Sequence, residues 1–260
     1  MRRADLHNRI LHVLLPPAFW LGVWQLCALL VDWSVGGRGN QLLLPYPATV
    51  WAALLRLAGQ GAFWESVLLS LLRVSAGLAI GLCLGGLAAV LTCISTWTDR
   101  ILSPAIRVVR AAPVASFILL VLLWTGRDQV PLVIVSLMVL PVVWDSLSQG
   151  IRATDPRLLE LAYAYRFSRR RTARLIYLPS LRPHLASALT TSVGLAWKSG
   201  VAAEVLCLPR SALGTEIYYT KYYLEIPELF AWTAVAVALS LLLERLFRTL
   251  LTRWGGRWSQ

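Results

Sequence analysis

Long apolar runs, broken by arginine, proline and glycine, set the pattern of this chain. Residues 10–31 form the first and carry no charge. Further runs follow at about 67–94, 101–125, 130–148, 184–206 and 227–250. A helix needs roughly 20 apolar residues to cross a hydrocarbon core of about 30 Å. The pattern therefore predicts an all-α integral membrane protein, a single domain over 1–260 with six transmembrane helices. Pro113 interrupts the third run and Pro141 the fourth. Membrane helices tolerate proline when neighbours satisfy the freed carbonyl. Segment 41–59 differs: Pro45 and Pro47 open it and Arg56 breaks it. It is too short to span and reads as an interfacial helix with Pro47 in its first turn. In the second run Gly77, Gly81 and Gly85 recur every four residues. They share one helix face, which predicts close approach by another helix.

Composition agrees. The chain is 57% hydrophobic and 15% charged, against roughly 25% charged in soluble domains. Such hydrophobicity excludes disorder. Net charge is +12, and 23 of the 25 basic residues are Arg. With a cytoplasmic N-terminus, 18 basic residues fall on the cytoplasmic side and 5 outside. That bias predicts N-in, C-in. The charges lie between apolar runs rather than along one polar face, which argues against a nucleic-acid partner. Arg2, Arg3 and Arg9 resemble a signal-peptide start, but the run after them is long and no small-x-small site follows at 27–34. A retained first helix is expected. Cys27, Cys83, Cys93 and Cys207 form no C-x-x-C, and His7, His12 and His184 make no ligand pattern with them. No metal site is expected. Neither H-E-x-x-H nor G-x-S-x-G occurs, so no catalytic residue is assigned. A membrane-embedded enzyme and a scaffold remain the rivals from other classes.

Segment 151–183 is the one long polar insert between spans. Asp155-Pro156 is a helix start, an N-cap acceptor followed by proline. Glu160 suits the early turns, and Leu158, Leu161, Ala162 and Tyr165 recur as an apolar stripe. Ser168 can cap a second helix over 169–177, ended by Pro179 and Pro183. The prediction is two short helices at the membrane surface. A basic loop on anionic lipid heads needs only Arg; the capped start and stripe favour a protein groove. Lys198 and Glu204 share the fifth span, 240° apart around the helix at 100° per residue. Each must find a partner off its own helix, or a water-filled path. Arg73 is read as a structural charge that snorkels to head groups. Tyr218, Tyr219, Lys221, Tyr222 and Tyr223, with Glu216, Glu225 and Glu228, form an outer cluster. It reads either as an interfacial belt or as a contact for a solute-delivering protein.

Several of these residues resemble a known family. Glu160-Leu-Ala162, then Arg166-Phe-Ser168 and Leu178-Pro179, look like the EAA loop of ABC importer permeases. Leu161 stands where the family has Ala, and Arg166 where it has the Gly that reaches positive φ cheaply. Leu44-Pro45-Tyr46-Pro47, Ser70-Leu-Leu-Arg73 with Gly77, and Gly194 to Glu204 resemble motifs of the nitrate/sulfonate/taurine branch. The resemblance implies a permease in a bacterial or archaeal plasma (inner) membrane for a small anionic solute. An alternative within the family is a vitamin or pyrimidine precursor. It implies ABC ATPase subunits, an extracytoplasmic solute-binding protein, a second permease copy (a homodimer) and membrane lipid as partners. ATP and Mg would be bound by the partner ATPase, with no cofactor in this chain; no phosphate-binding G-x-x-x-x-G-K-[ST] loop occurs. Glu160, Ala162, Arg166 and Ser168 would lie at the ATPase contact. Lys198 and Glu204 are the translocation-path candidates.

Overall fold

The computed structural model describes the backbone of residues 2–255 and the side chains of 15–39 and 42–251. The charges of Arg2, Arg3, Arg9, Arg253 and Arg257, with His7, His12 and the start of the first run, lie outside the described side chains. The elements are α1 (Arg2–Ser34), α2 (Gly39–Leu42), α3 (Pro47–Ala58), α4 (Gly61–Ile94), α5 (Thr96–Ala111) and α6 (Val114–Trp124). There follow α7 (Val130–Arg152), α8 (Pro156–Ala164), α9 (Arg169–Thr172), a π turn (Ala173–Tyr177), α10 (Leu178–Cys207), α11 (Leu213–Tyr222) and α12 (Ile226–Gly255). Among the described residues there is no strand. Leu15–Ser34, Gly61–Ile94, Val130–Arg152 and Ile226–Leu251 are long and apolar enough to cross a membrane. The pair α5 and α6 makes a fifth only as a broken span.

The chain divides into two compact units, 1–66 with 216–236 and 67–215 with 237–260. In the first, α3 begins with Pro47 in its first turn, as expected, and buries Val50, Ala53 and Leu57. Phe63 packs on Trp232 with ring centroids 4.8 Å apart, and Trp24 stacks on Phe230 at 5.9 Å.

In the second unit α7 is the central element. Val130, Ile134, Val135, Val139 and Val143 are all fully buried, as expected of a helix apolar all round. It packs Ile118 and Val121 of α6 and Ala203 and Cys207 of α10 on one side. Ala88, Ala89 and Ile106 meet Trp144 on another. The glycine ladder does what its spacing predicts. A Cβ at Gly77 would lie 2.7 Å from Leu132 O, at Gly81 2.7 Å from Val139 Cβ, and at Gly85 2.7 Å from Leu140 O. The partner residues advance in step with the glycines, so α4 and α7 run parallel.

Polar ties place successive loops at alternate ends of this unit. At one end Arg73 reaches the carbonyls of Arg210 and Ser211, and Asp128 accepts from the Arg210 amide at 2.7 Å. At the other, Arg152 pairs with Asp99 at 3.6 Å, Arg110 with Asp145 at 2.9 Å, and Ser146 donates to His184 O.

Three expectations need correction. The run at 101–125 is not one straight span: α5 and α6 meet at 110°. Ala112 precedes Pro113 and is forced extended, with ψ 140. The second run begins at Gly61 rather than 67. The helix expected to end at Pro179 and Pro183 runs on instead. Thr172, Ala173, Tyr177 and Leu178 all keep right-handed helical dihedrals, so α9, the π turn and α10 are continuous. In the π turn the Leu178 amide reaches back five residues to Ala173 O. That wider turn immediately precedes Pro179, whose ring and missing N–H disrupt a regular helix.

Candidate functional site

The 151–183 insert is one capped helix followed by the start of a long one. Asp155 caps α8, its carboxylate accepting from the Arg157 amide at 2.9 Å. Ser168 caps α9, accepting from the Arg171 amide at 3.4 Å. Both caps were legible in sequence. Between them the chain turns through Arg166, which has φ +50. The Phe167 amide donates to Ala162 O at 2.8 Å and the Arg166 amide to Tyr163 O at 3.0 Å. These two bonds make a Schellman motif, with Arg166 in the left-handed position that glycine normally fills. The turn thus takes the geometry for which glycine is suited, with an arginine in it. Arg171 lies over the Phe167 ring at 4.5 Å and packs the corner.

A left-handed L residue costs roughly 1–2 kcal/mol. Arg166→Gly should therefore tighten this corner by about 1 kcal/mol, a several-fold gain in hydrogen-exchange protection. The Arg166 and Phe167 amides are the readout; faster exchange at both would show that the arginine side chain contributes more than its backbone costs.

The stripe on α8 divides. Ala162 is turned inward, 4% exposed, and backs the helix against its own chain. Leu158, Leu161 and Tyr165 are exposed, as are Glu160, Arg166 and Ser168. Among the described residues Glu160 makes no ion pair or side-chain hydrogen bond. The outer surface of α8 and its turn thus carries exposed apolar side chains beside a free carboxylate and a free guanidinium.

On α10 the two charges, Lys198 and Glu204, face different surroundings. Lys198 is exposed, although Ala196, Trp197, Ser199 and Gly200 around it are buried. With Ser187, Thr191 and Ala202, also exposed, it lies on a narrow stripe of small and polar residues. Glu204 is fully buried and accepts from Ser70 Oγ at 2.8 Å and from the Gly214 amide at 3.1 Å. Arg73 is near it at 3.9 Å and is itself only 16% exposed. Arg73 turns inward to the Arg210 and Ser211 carbonyls instead of outward to head groups. The single-helix geometry correctly separated Lys198 from Glu204. It missed Ser70 and Gly214 as Glu204's partners, although Ser70 opens the Ser-x-x-Arg motif.

In the first unit Glu216, Tyr219, Tyr223, Glu225, Glu228 and Trp232 line an open cavity of about 490 Å³. Arg56 pairs with Glu228 there. Burial pushes the Glu216 carboxyl above the usual carboxylate range.

Residues 81–256, which include α7, α8 and α10, match the family described as "Binding-protein-dependent transport system inner membrane component". The chain belongs to this family. It is a permease subunit of an ABC importer, a multi-pass plasma-membrane protein and a transport component rather than an enzyme. ATP is bound by a separate ATPase subunit. The chain is 26% identical over 247 residues to a putative aliphatic sulfonates transport permease, SsuC, of Bacillus subtilis, covering 93% of this chain and 86% of that one. The taurine transport system permease TauC of Escherichia coli is 26% identical over 91% of this chain and 90% of its own. A bicarbonate transport system permease, CmpB, of Synechococcus elongatus is 23% identical over 93% and 89%. Two solved structures share the fold. An amino acid ABC transporter with histidines has TM-score 0.62 at 17% identity, covering 75% of this chain and 94% of that one. An inward-facing MetNI methionine ABC transporter has TM-score 0.58 at 19% identity, covering 80% and 98%.

Proposed function

We propose that this permease imports a small anionic solute of the sulfonate, taurine or nitrate class. It pairs with a second copy around the path, docks an ATPase on the outer face of α8, and receives solute from an extracytoplasmic binding protein. All six runs cross the membrane, with both termini cytoplasmic. The observation that carries the solute class is Lys198. It is a lone exposed cation at mid-helix on α10, on a stripe otherwise small and polar. A charge at bilayer depth costs about 2.5–3.5 kcal/mol on insertion scales and is retained where it faces a cavity or a partner. Relatives named for sulfonates, taurine and bicarbonate support the same sign. Glu160, Arg166 and Ser168 then meet the ATPase, and Ala162 supports the helix from behind.

The test is co-purification followed by uptake. The tagged chain in mild detergent should carry a stoichiometric protein with a phosphate-binding loop. In vesicles with that ATPase and the binding protein, Lys198→Ala should reduce taurine or alkanesulfonate uptake per permease molecule by on the order of tenfold. Equal uptake per molecule would remove Lys198 from the path. Uptake of an organic cation in preference to taurine would overturn the anion class.

A further inference from the structure

A carboxylate inside a helix bundle must be satisfied, or it destabilises the fold. One oxygen of Glu204, in the last turns of α10, is satisfied by groups from beyond its own helix. Oε2 accepts from Ser70 Oγ of α4 at 2.8 Å and from the Gly214 amide at 3.1 Å. Ser70 Oγ in turn accepts from the Leu213 amide at 2.9 Å. The first two amides of α11 therefore converge on one carboxylate, directly or through Ser70, where a helix start favours negative charge.

Arg73, one turn along from Ser70, holds the carbonyl side of the same segment. Its Nη2 donates to Arg210 O at 2.7 Å and its Nη1 to Ser211 O at 3.2 Å. Leu208 and Ser211 have φ +51 and +43. Two left-handed L residues within four positions do not persist without outside support. Gly214 has no room for a side chain: its Cβ would lie 2.5 Å from Glu204 Cβ. Glu204 Oε1 is buried without a hydrogen bond, and Arg73 Nη1 stands 3.9 Å away. The ion pair thus acts by field across a gap rather than by contact.

We propose that Glu204 is a positioning residue of the transport cycle and does not touch solute. With Ser70 and Arg73 it clasps the 208–214 turn and holds the end of α10 closed on α4. This rests on the importer reading above. It gives the buried charge a role. A glutamine could still accept from Ser70 and Gly214 through its one carbonyl oxygen, but it would release Arg73. Glu204→Gln therefore separates the clasp from the fold.

The experiment uses the complete transporter with its ATPase, without solute, and reads two quantities. Hydrogen exchange at the Leu213 and Gly214 amides should rise on the order of tenfold in Glu204→Gln, the scale of losing one interaction to a charged group. Basal ATP hydrolysis should rise by a similar factor, because a loosened end no longer resists closure of the ATPase. Arg73→Gln should do the same, and the double variant should be no worse than either single one. Wild-type exchange and hydrolysis in Glu204→Gln would overturn the proposal. Faster exchange with unchanged hydrolysis would also overturn it, leaving a merely structural role. Failure of the importer reading looks different: the wild-type chain would then assemble with no ATPase.

Discussion

Gly81→Val should leave little folded protein in the membrane, whereas Gly86→Val, five residues on, should be tolerated. The contrast is steric. A Cβ at Gly81 would sit 2.7 Å from Val139 Cβ and 2.9 Å from Ser136 O. Neither neighbour can retreat. Ser136 O belongs to the α7 backbone, and Val139 is fully buried. Gly77 and Gly85 hold α7 at equal distance on either side, so α4 cannot tilt away at one point. Overpacking of this kind costs about 3 kcal/mol, a large part of the marginal stability of a domain. At Gly86 the nearest atom is the flexible end of Leu147, at 3.7 Å. Size-exclusion profiles and thermal inactivation of the two variants in detergent give the comparison. A monodisperse Gly81→Val that melts with the wild type would show that α4 and α7 separate freely, and the ladder would lose its meaning.

How far the sequence reveals this molecule depends on the range of the contact concerned. Local signals read correctly. The Asp155 and Ser168 caps, Pro47 at the start of α3 and the four-residue glycine spacing all depend on neighbours in the chain or on one helix face. The break between α5 and α6 was half legible: Pro113 marked the position, but only packing on α7 sets the angle. The continuity of α9 into α10 was hidden because Pro179 and Pro183 ordinarily stop a helix. Here a π turn precedes Pro179. Glu204 shows the limit most clearly. Its burial inside an apolar span identified it as a charge in need of a partner. Its partners come from 134 and 10 residues away along the chain, and no periodicity within α10 points to them. The Arg166 corner lies between these cases. Helix caps fore and aft required a reversal there, and the backbone adopts the glycine conformation despite the arginine.

The largest functional effect expected is that of Glu160→Arg, which should uncouple the ATPase while leaving the permease inserted and folded. Glu160 is exposed on α8 and pairs with nothing among the described residues, so its replacement disturbs no internal contact. Loss of stability is therefore not the reason for any effect. On the proposed docking surface it is a lone carboxylate beside exposed Leu161, with Arg157 and Arg166 nearby in sequence. A partner groove that accepts α8 must supply a cation to it once water is excluded. Reversing the sign removes that pair and sets two positive charges together in a desolvated setting. Truncating one member of such a pair costs 2–5 kcal/mol or more, so ATPase affinity should fall at least about thirtyfold. Leu161→Asp should act in the same direction by placing a charge in the apolar part of the patch. Ser168→Ala should have a much smaller effect, since it removes a neutral hydroxyl and a cap worth about 1 kcal/mol rather than a charge. Co-purification from detergent and solute-stimulated hydrolysis in vesicles measure the two consequences separately. If Glu160→Arg retained both at wild-type levels, α8 would not be the docking helix. The exposed apolar residues of α5, Trp97, Ile101 and Val108, would then be the next surface to test.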